Sequence, residues 1–74
     1  MKITRIDAPI KGCKLWSGAA SDAGNNYEWF YGPRSRLAVR KQEPLMPKSW
    51  MYVDAPAGLK AAVLEAVRAA RLIF

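Results

Sequence analysis

The clearest pattern of hydrophobic and polar positions lies over residues 54–74. Apolar side chains recur there at helical spacing, at Leu59, Val63, Ala66, Val67, Ala70 and Phe74. This spacing lines them up along one side of an α-helix. Asp54, or alternatively Ala55, is the expected N-cap, and Pro56 suits the first turn because its missing N–H group needs no partner there. We therefore predict a C-terminal helix that packs one apolar stripe on the rest of the domain.

Two short strands are predicted in the first part of the chain. Residues 1–7 are rich in β-branched side chains, which favour extended backbone. Ile3 and Ile6 are an odd number of positions apart, so we expect them on opposite faces of that strand. Residues 10–16 predict a second strand, in which Cys13 is expected to fill the core because free cysteine is usually buried.

Two segments are predicted to be irregular. Residues 17–26 combine Gly18, Gly24 and small polar side chains, a composition typical of a loop. Residues 43–48 contain two prolines and are predicted to be a connector.

The aromatic segment at residues 27–31 predicts a strand with two different faces. Tyr27, Trp29 and Tyr31 share one face, and Glu28 and Phe30 share the other.

This strand is predicted to begin a hairpin. Residues 32–34 (Gly-Pro-Arg) form the turn, and residues 35–42 pair back as the next strand. Residues 50–53 supply a last short strand before the helix. The competing interpretation is a helix over residues 25–31 that ends at Gly32.

Together these elements predict one α+β domain of 74 residues. It consists of a small antiparallel sheet of four or five short strands, with the C-terminal helix packed on one face. One helix covers only one face of a sheet. If Tyr27, Trp29 and Tyr31 lie beneath it they are core residues, which is the arrangement we favour for Trp29. If Phe30 lies beneath it, the three aromatics are exposed.

Composition limits the chemistry that this domain can carry. The chain has one cysteine and no histidine, which excludes an internal disulfide and the usual structural zinc sites. The candidate catalytic acids, Asp7, Asp22, Glu28 and Glu43, show no paired or metal-ligand spacing. We therefore expect no enzyme activity, no metal and no cofactor. The single thiol and the lack of a signal-peptide pattern indicate a cytoplasmic setting, and no apolar run is long enough to span a membrane.

The excess of positive charge points to binding as the function. The formal net charge is +6, from 12 lysines and arginines against 6 acids. We expect a basic surface that binds a larger protein or nucleoprotein partner. Its predicted residues lie on the hairpin and on one flank of the helix, at Arg34, Arg36, Arg40, Lys41, Lys60, Arg68 and Arg71. Small basic chains of this kind are typical of inhibitors and accessory proteins, including those encoded by phages and mobile elements. A homodimer is a further expectation, because so short a chain buries little surface.

The alternative hypothesis is a module for single-stranded nucleic acid. In such modules, exposed aromatic rings stack on bases for roughly 1–3 kcal/mol each, and cations follow the phosphates. Here Tyr27, Trp29 and Tyr31 would supply the rings, and the hairpin cations between Arg34 and Lys41 would supply the charge. Lys11, Lys14 and Lys48 would extend this patch. No sequence signature of a nucleic-acid recognition fold accompanies them.

Overall fold

A computed structural model describes residues 1–72 and confirms the α+β prediction. Five strands pair in chain order as one antiparallel sheet, and a single helix follows them. A 3-10 turn at Pro33–Ser35 separates the third strand from the fourth. The elements are β1 Lys2–Asp7, β2 Trp16–Asp22, β3 Asn25–Tyr31, β4 Leu37–Glu43, β5 Met46–Val53 and α1 Leu59–Arg71.

The helix lies on the face of the sheet that carries Tyr27, Trp29 and Tyr31. Trp29 has no exposed surface, and the other two rings are 8% exposed. The buried helix residues that meet them are Leu59, Val63, Val67 and Ala70. The predicted apolar stripe is therefore confirmed over these residues, whereas Phe74 lies outside the described part of the chain.

The edge strand β1 contains an irregularity that the sequence pattern did not reveal. The pairing register with β2 shifts between Ile3 and Arg5. Such a bulge inserts one extra residue into the strand. The side chains that follow it therefore point to the face opposite the one that simple alternation predicts. Ile3 and Ile6 consequently both pack against the core. The expectation that they lie on opposite faces is wrong.

The predicted loop at residues 17–26 is wrong, because those residues form β2 and the start of β3. The connection is a two-residue turn at Ala23 and Gly24, whose φ angles are 48° and 81°. Two successive left-handed residues match the twist of a tight hairpin. The small side chains serve packing: a Cβ atom at Gly18 would overlap the Trp29 ring.

The strand predicted at residues 10–16 is also wrong. Strand β2 begins only at Trp16, and the segment before it is a turn in which the Cys13 N–H donates to the Ile10 carbonyl at 2.9 Å. Cys13 is exposed instead of filling the core. The strand pattern failed here because Gly12, with φ 87°, turns the chain in the left-handed region.

Strand β5 is longer than the predicted segment 50–53, because it begins at Met46. The predicted connector shrinks to a turn at Pro44 and Leu45. Pro47 lies within β5, which is the last strand of the sheet. Proline is compatible with an edge strand because the missing N–H group can face away from the ladder.

The helix begins at Leu59, later than the predicted N-cap at Asp54 or Ala55. Its N-cap is Gly58, whose φ of 83° lies in the left-handed region. A right-handed helix therefore cannot run through this residue from Asp54 or Ala55. The first turn is closed by the Ala62 N–H, which donates to the Gly58 carbonyl at 3.0 Å. Over residues 1–72, no helix has both the length and the apolar composition to cross a membrane.

Candidate functional site

A cleft opens at the end of the sheet where β2 begins, β3 ends and α1 reaches its last turn. Its volume is about 390 Å³. We call it the basic cleft, and its lining residues are Pro9, Cys13, Lys14, Trp16, Tyr31, Gly32, Pro33, Arg34, Ser35 and Arg71.

Three cations from separate segments line the basic cleft. Lys14 comes from the connection between β1 and β2, Arg34 from the β3–β4 turn, and Arg71 from the end of α1. No carboxylate of residues 1–72 forms an ion pair with any of them. A concave site lined by one sign of charge concentrates counter-ions of the opposite sign. The basic cleft is therefore suited to an anionic group.

The walls of the cleft restrict where these charges lie. The Arg71 guanidinium lies 5.9 Å from the centroid of the Trp16 ring, within the range of a cation–π contact. Trp16 is itself 7% exposed and belongs to the core. Because its partner ring is held by core packing, Arg71 is held at the cleft although it forms no ion pair with an acidic side chain of residues 1–72.

The turn that presents Arg34 has unusual backbone geometry. Arg34 and Ser35 both have left-handed φ angles, 64° and 58°. The turn is closed at its base by the Gly32 N–H, which donates to the Arg36 carbonyl at 2.9 Å. A non-glycine residue in this region costs on the order of 1–3 kcal/mol, and such strain clusters at binding and switch sites. This geometry places Arg34 and Ser35 at the mouth of the basic cleft.

A second depression lies on the other side of the same turn. It measures about 380 Å³ and shares Gly32 and Pro33 with the basic cleft. We call it the apolar groove, and its lining residues are Leu15, Phe30, Gly32, Pro33, Arg36, Leu37 and Ala38. Leu15 is 41% exposed there. A basic and an apolar recess thus adjoin across one turn.

Arg40, a predicted binding residue, is already engaged in contacts within the domain. It pairs with Glu28 across β3 and β4, with Nη2 2.6 Å and Nε 2.8 Å from Oε1. Its guanidinium also lies 5.5 Å from the centroids of both Phe30 and Trp50. Glu28 further pairs with Arg5 at 3.8 Å. Arg40 is thus neutralised on the face of the sheet opposite α1.

Two predicted binding residues are buried in the core. Trp29 has no exposed surface, and its indole N–H donates to the Ala19 carbonyl at 3.2 Å. Tyr31 is 8% exposed and contributes only to the wall of the basic cleft. Tyr27 is equally buried. Rings in these positions cannot stack on bases, so the predicted roles of Trp29 and Tyr31 as exposed stacking residues are wrong.

The remaining predicted cations are spread over the molecule. Arg36 lines the apolar groove, on the far side of the turn from the basic cleft. Lys41 lies toward the other end of β4, opposite Tyr27 and Met51. Lys60 and Arg68 lie on the exposed side of α1. Of the seven predicted cations, only Arg34 and Arg71 meet in one site.

Lys14 was predicted only as an extension of the nucleic-acid patch, and Trp16, Ser35 and Cys13 were not among the predicted binding residues. Lys14 and Cys13 had been placed in a strand, and Trp16 at its end. The turn at Gly12 carries them to the cleft instead. No local pattern marks Ser35, because its place depends on the left-handed geometry of the β3–β4 turn.

Comparison of the chain with protein-family models, with curated proteins and with solved structures finds no match. What the chain binds is therefore inferred from the shape and charge of the basic cleft and the apolar groove.

Proposed function

We propose that this protein is a non-catalytic binding protein that engages an acidic segment of a larger protein, as a small inhibitor or accessory protein does. One observation carries the proposal. Lys14, Arg34 and Arg71 converge on one cleft from three parts of the chain, and no ion pair within residues 1–72 uses them. An acidic side chain of the partner would supply the negative charge that pairs with these three cations.

The apolar groove favours a protein partner over nucleic acid. A peptide segment with a carboxylate followed by a large apolar side chain can fill the basic cleft and the apolar groove together, across Gly32 and Pro33. Burial of a Leu-sized side chain is worth about 1.5–3 kcal/mol. A phosphate backbone would use the cations and leave the apolar groove empty.

Single-stranded nucleic acid remains the second candidate, on a different surface from the one predicted. Phe30, Trp50 and Tyr52 lie on the face opposite α1, and Tyr52 is 72% exposed. Two of these rings flank Arg40. The ion pair between Arg40 and Glu28 weakens this candidate, because the cation beside the rings is already neutralised.

The proposal includes no reaction. Among the described residues that line the basic cleft there is no histidine, aspartate or glutamate, so Ser35 and Cys13 have no adjacent group of the usual general-base types. An exposed Cys13 without a disulfide partner agrees with a reducing, cytoplasmic setting, which we include in the proposal.

Binding to a defined peptide tests this function. The probe is a dye-labelled peptide of alternating glutamate and leucine, compared with its glutamine counterpart and with an oligo-dT of similar charge. We expect the acidic peptide to bind best, and Arg34→Glu to weaken it at least about tenfold because repulsion replaces a charge-assisted contact. Fluorescence anisotropy at several salt concentrations measures the affinities.

Lys60→Glu is the matched control. It makes the same charge reversal on an exposed position of α1, eleven residues before Arg71 and thus about 16 Å away along the axis. We expect it to change peptide affinity less than about twofold. Equal losses of peptide affinity for Arg34→Glu and Lys60→Glu would show that net charge alone, and not the basic cleft, determines binding. Tighter binding of oligo-dT than of the peptide would favour the second candidate.

A further inference from the structure

The basic cleft carries more positive charge than one carboxylate balances. Each of Lys14, Arg34 and Arg71 contributes a cation, and no aspartate or glutamate of the described residues lines the cleft. None of the three cations is paired with a carboxylate of residues 1–72. A single glutamate of a partner would supply one negative charge and two acceptor oxygens. Most of the positive charge of the cleft would then remain unbalanced.

The fold restrains the positions of these three cations. The Arg71 guanidinium lies 5.9 Å from the centroid of the Trp16 ring, which belongs to the core. Arg34 is presented by a turn that a backbone hydrogen bond closes at its base. Lys14 follows a turn that is closed by the Cys13 N–H, which donates to the Ile10 carbonyl at 2.9 Å. Like charges that the backbone brings together repel one another, and an anion that meets all three relieves this repulsion.

Several carboxylates on one peptide would match the charge but not the geometry. In an extended segment, successive side chains point to opposite sides, and two side chains on the same side are about 6.6 Å apart along the chain. Each carboxylate then needs its own partner in a cleft of about 390 Å³. A ligand that carries its oxygens on a single atom has no such spacing to accommodate.

A phosphoryl group concentrates the required charge on one side chain. A phosphomonoester carries a charge of about −1.5 to −2 at pH 7 and presents three strong acceptor oxygens. Arginine binds such a group through two parallel N–H···O hydrogen bonds, and lysine binds it as a point charge. Two arginines and one lysine on separate segments of the chain therefore suit one phosphoryl group. The hydroxyl group of Ser35, which also lines the cleft, is a further hydrogen-bond donor.

We propose that the side chain bound in the basic cleft is phosphorylated, so that the partner is a phosphoprotein. The phosphoryl group meets Lys14, Arg34 and Arg71, and a large apolar side chain beside it fills the apolar groove. This inference rests on the proposed function, because it names the chemistry of the acidic segment at the same site. It makes binding dependent on modification of the partner. The terminal phosphate of a nucleic acid has the same charge but brings no apolar side chain to the groove.

Four dye-labelled peptides of one sequence test the inference. Two variable positions flank a single leucine, and they hold two serines, one glutamate and one serine, two glutamates, or one phosphoserine and one serine. The last two peptides are matched in net charge at pH 7.5. We expect the phosphoserine peptide to bind at least about tenfold more tightly than the two-glutamate peptide, because its charge meets all three cations at one point. Fluorescence anisotropy on the full chain at fixed salt concentration measures the dissociation constants.

The pH dependence of binding distinguishes the phosphate dianion from a carboxylate. The second pKa of a phosphomonoester is about 6, so protonation below this pH removes one of its charges. We expect the affinity of the phosphoserine peptide to rise about tenfold from pH 5 to pH 7.5. The glutamate peptides should change less than about twofold, because the ordinary pKa of glutamate is about 4.3. The chain has no histidine, the side chain that ordinarily titrates in this range.

Removal of one cation tests whether all three are used. Lys14 is exposed, so Lys14→Gln should stay folded by circular dichroism. We expect it to weaken the phosphoserine peptide about tenfold and the one-glutamate peptide less than about threefold, because two arginines suffice for one carboxylate. Lys11→Gln is the matched control, since Lys11 is exposed in the same connection between β1 and β2 but does not line the cleft. It should change either affinity less than about twofold.

The inference and the proposed function fail in different ways. If the two-glutamate peptide binds as tightly as the phosphoserine peptide, the acidic-segment function stands and the phosphoryl inference is overturned. If no acidic peptide binds more tightly than the serine peptide, both are overturned. A 5′-phosphorylated oligo-dT that binds more tightly than the phosphoserine peptide would overturn the inference by assigning the phosphate to nucleic acid.

Discussion

Trp29 organises the core, and its surroundings explain why small residues occur in β2. The ring lies against Gly18, and its indole N–H reaches the carbonyl of the next residue, Ala19, at 3.2 Å. Burying an indole requires both space and a hydrogen-bond acceptor. The neighbouring strand provides the space through a residue without a side chain.

Gly18→Ala should therefore destabilise the fold. A Cβ atom at this position would overlap both the Trp29 ring and the Arg5 carbonyl, so the sheet has to shift. We expect a loss of about 3 kcal/mol in the free energy of unfolding, measured by urea denaturation. Gly32→Ala is the control, because its φ is −107° and its Cβ would meet only the Leu15 side chain at 3.4 Å. That variant should lie within about 0.5 kcal/mol of the wild type, and similar losses for the two would show that the packing beneath Trp29 is not tight.

The elements differ in how well the sequence predicts them. The helical stripe from Leu59 to Ala70 and the aromatic strand at β3 have strong periodicity, and both were predicted in type. The buried face of the helix was predicted too, whereas the buried face of β3 was left open between two alternatives, with Trp29 favoured as a core residue. Strand β2 was missed because serine, glycine and alanine are typical of loops, and only tertiary contact with Trp29 shows their purpose.

The start of α1 was misplaced for a related reason. Asp54 and Pro56 form a normal helix-start signal, but the left-handed Gly58 after them stops a helix from including both. The basic cleft could not be predicted as a whole, because its cations come from three segments whose approach depends on the turns at Gly12 and at Arg34. The spacing of these cations along the sequence does not show that they lie close together in the fold.

Two substitutions distinguish the observed helix start from the predicted one. Gly58→Ala places a Cβ atom in a left-handed conformation and should cost about 1 kcal/mol of stability. Asp54→Ala should cost less than about 0.5 kcal/mol, because Asp54 caps nothing in the structure. Thermal unfolding of dilute, monomeric protein measures both. A larger loss for Asp54→Ala than for Gly58→Ala would favour the N-cap predicted from sequence.

At the scale of the whole molecule, the arginines that are paired within the domain lie apart from the cations of the basic cleft. Arg5 and Arg40 are neutralised by Asp7 and Glu28 on the face opposite α1. The basic cleft lies at the end of the sheet beside α1, where it adjoins the apolar groove.

The most direct test of where the protein binds is an amide chemical-shift map. Uniformly ¹⁵N-labelled protein is titrated with the glutamate–leucine peptide, and the shift of each backbone amide is followed. We expect the largest changes around the basic cleft and the apolar groove, at Lys14, Leu15, Trp16, Gly32, Arg34, Ser35, Leu37 and Arg71. If the largest changes instead lie on the opposite face, around Arg40, Trp50 and Tyr52, the basic cleft is not the binding site.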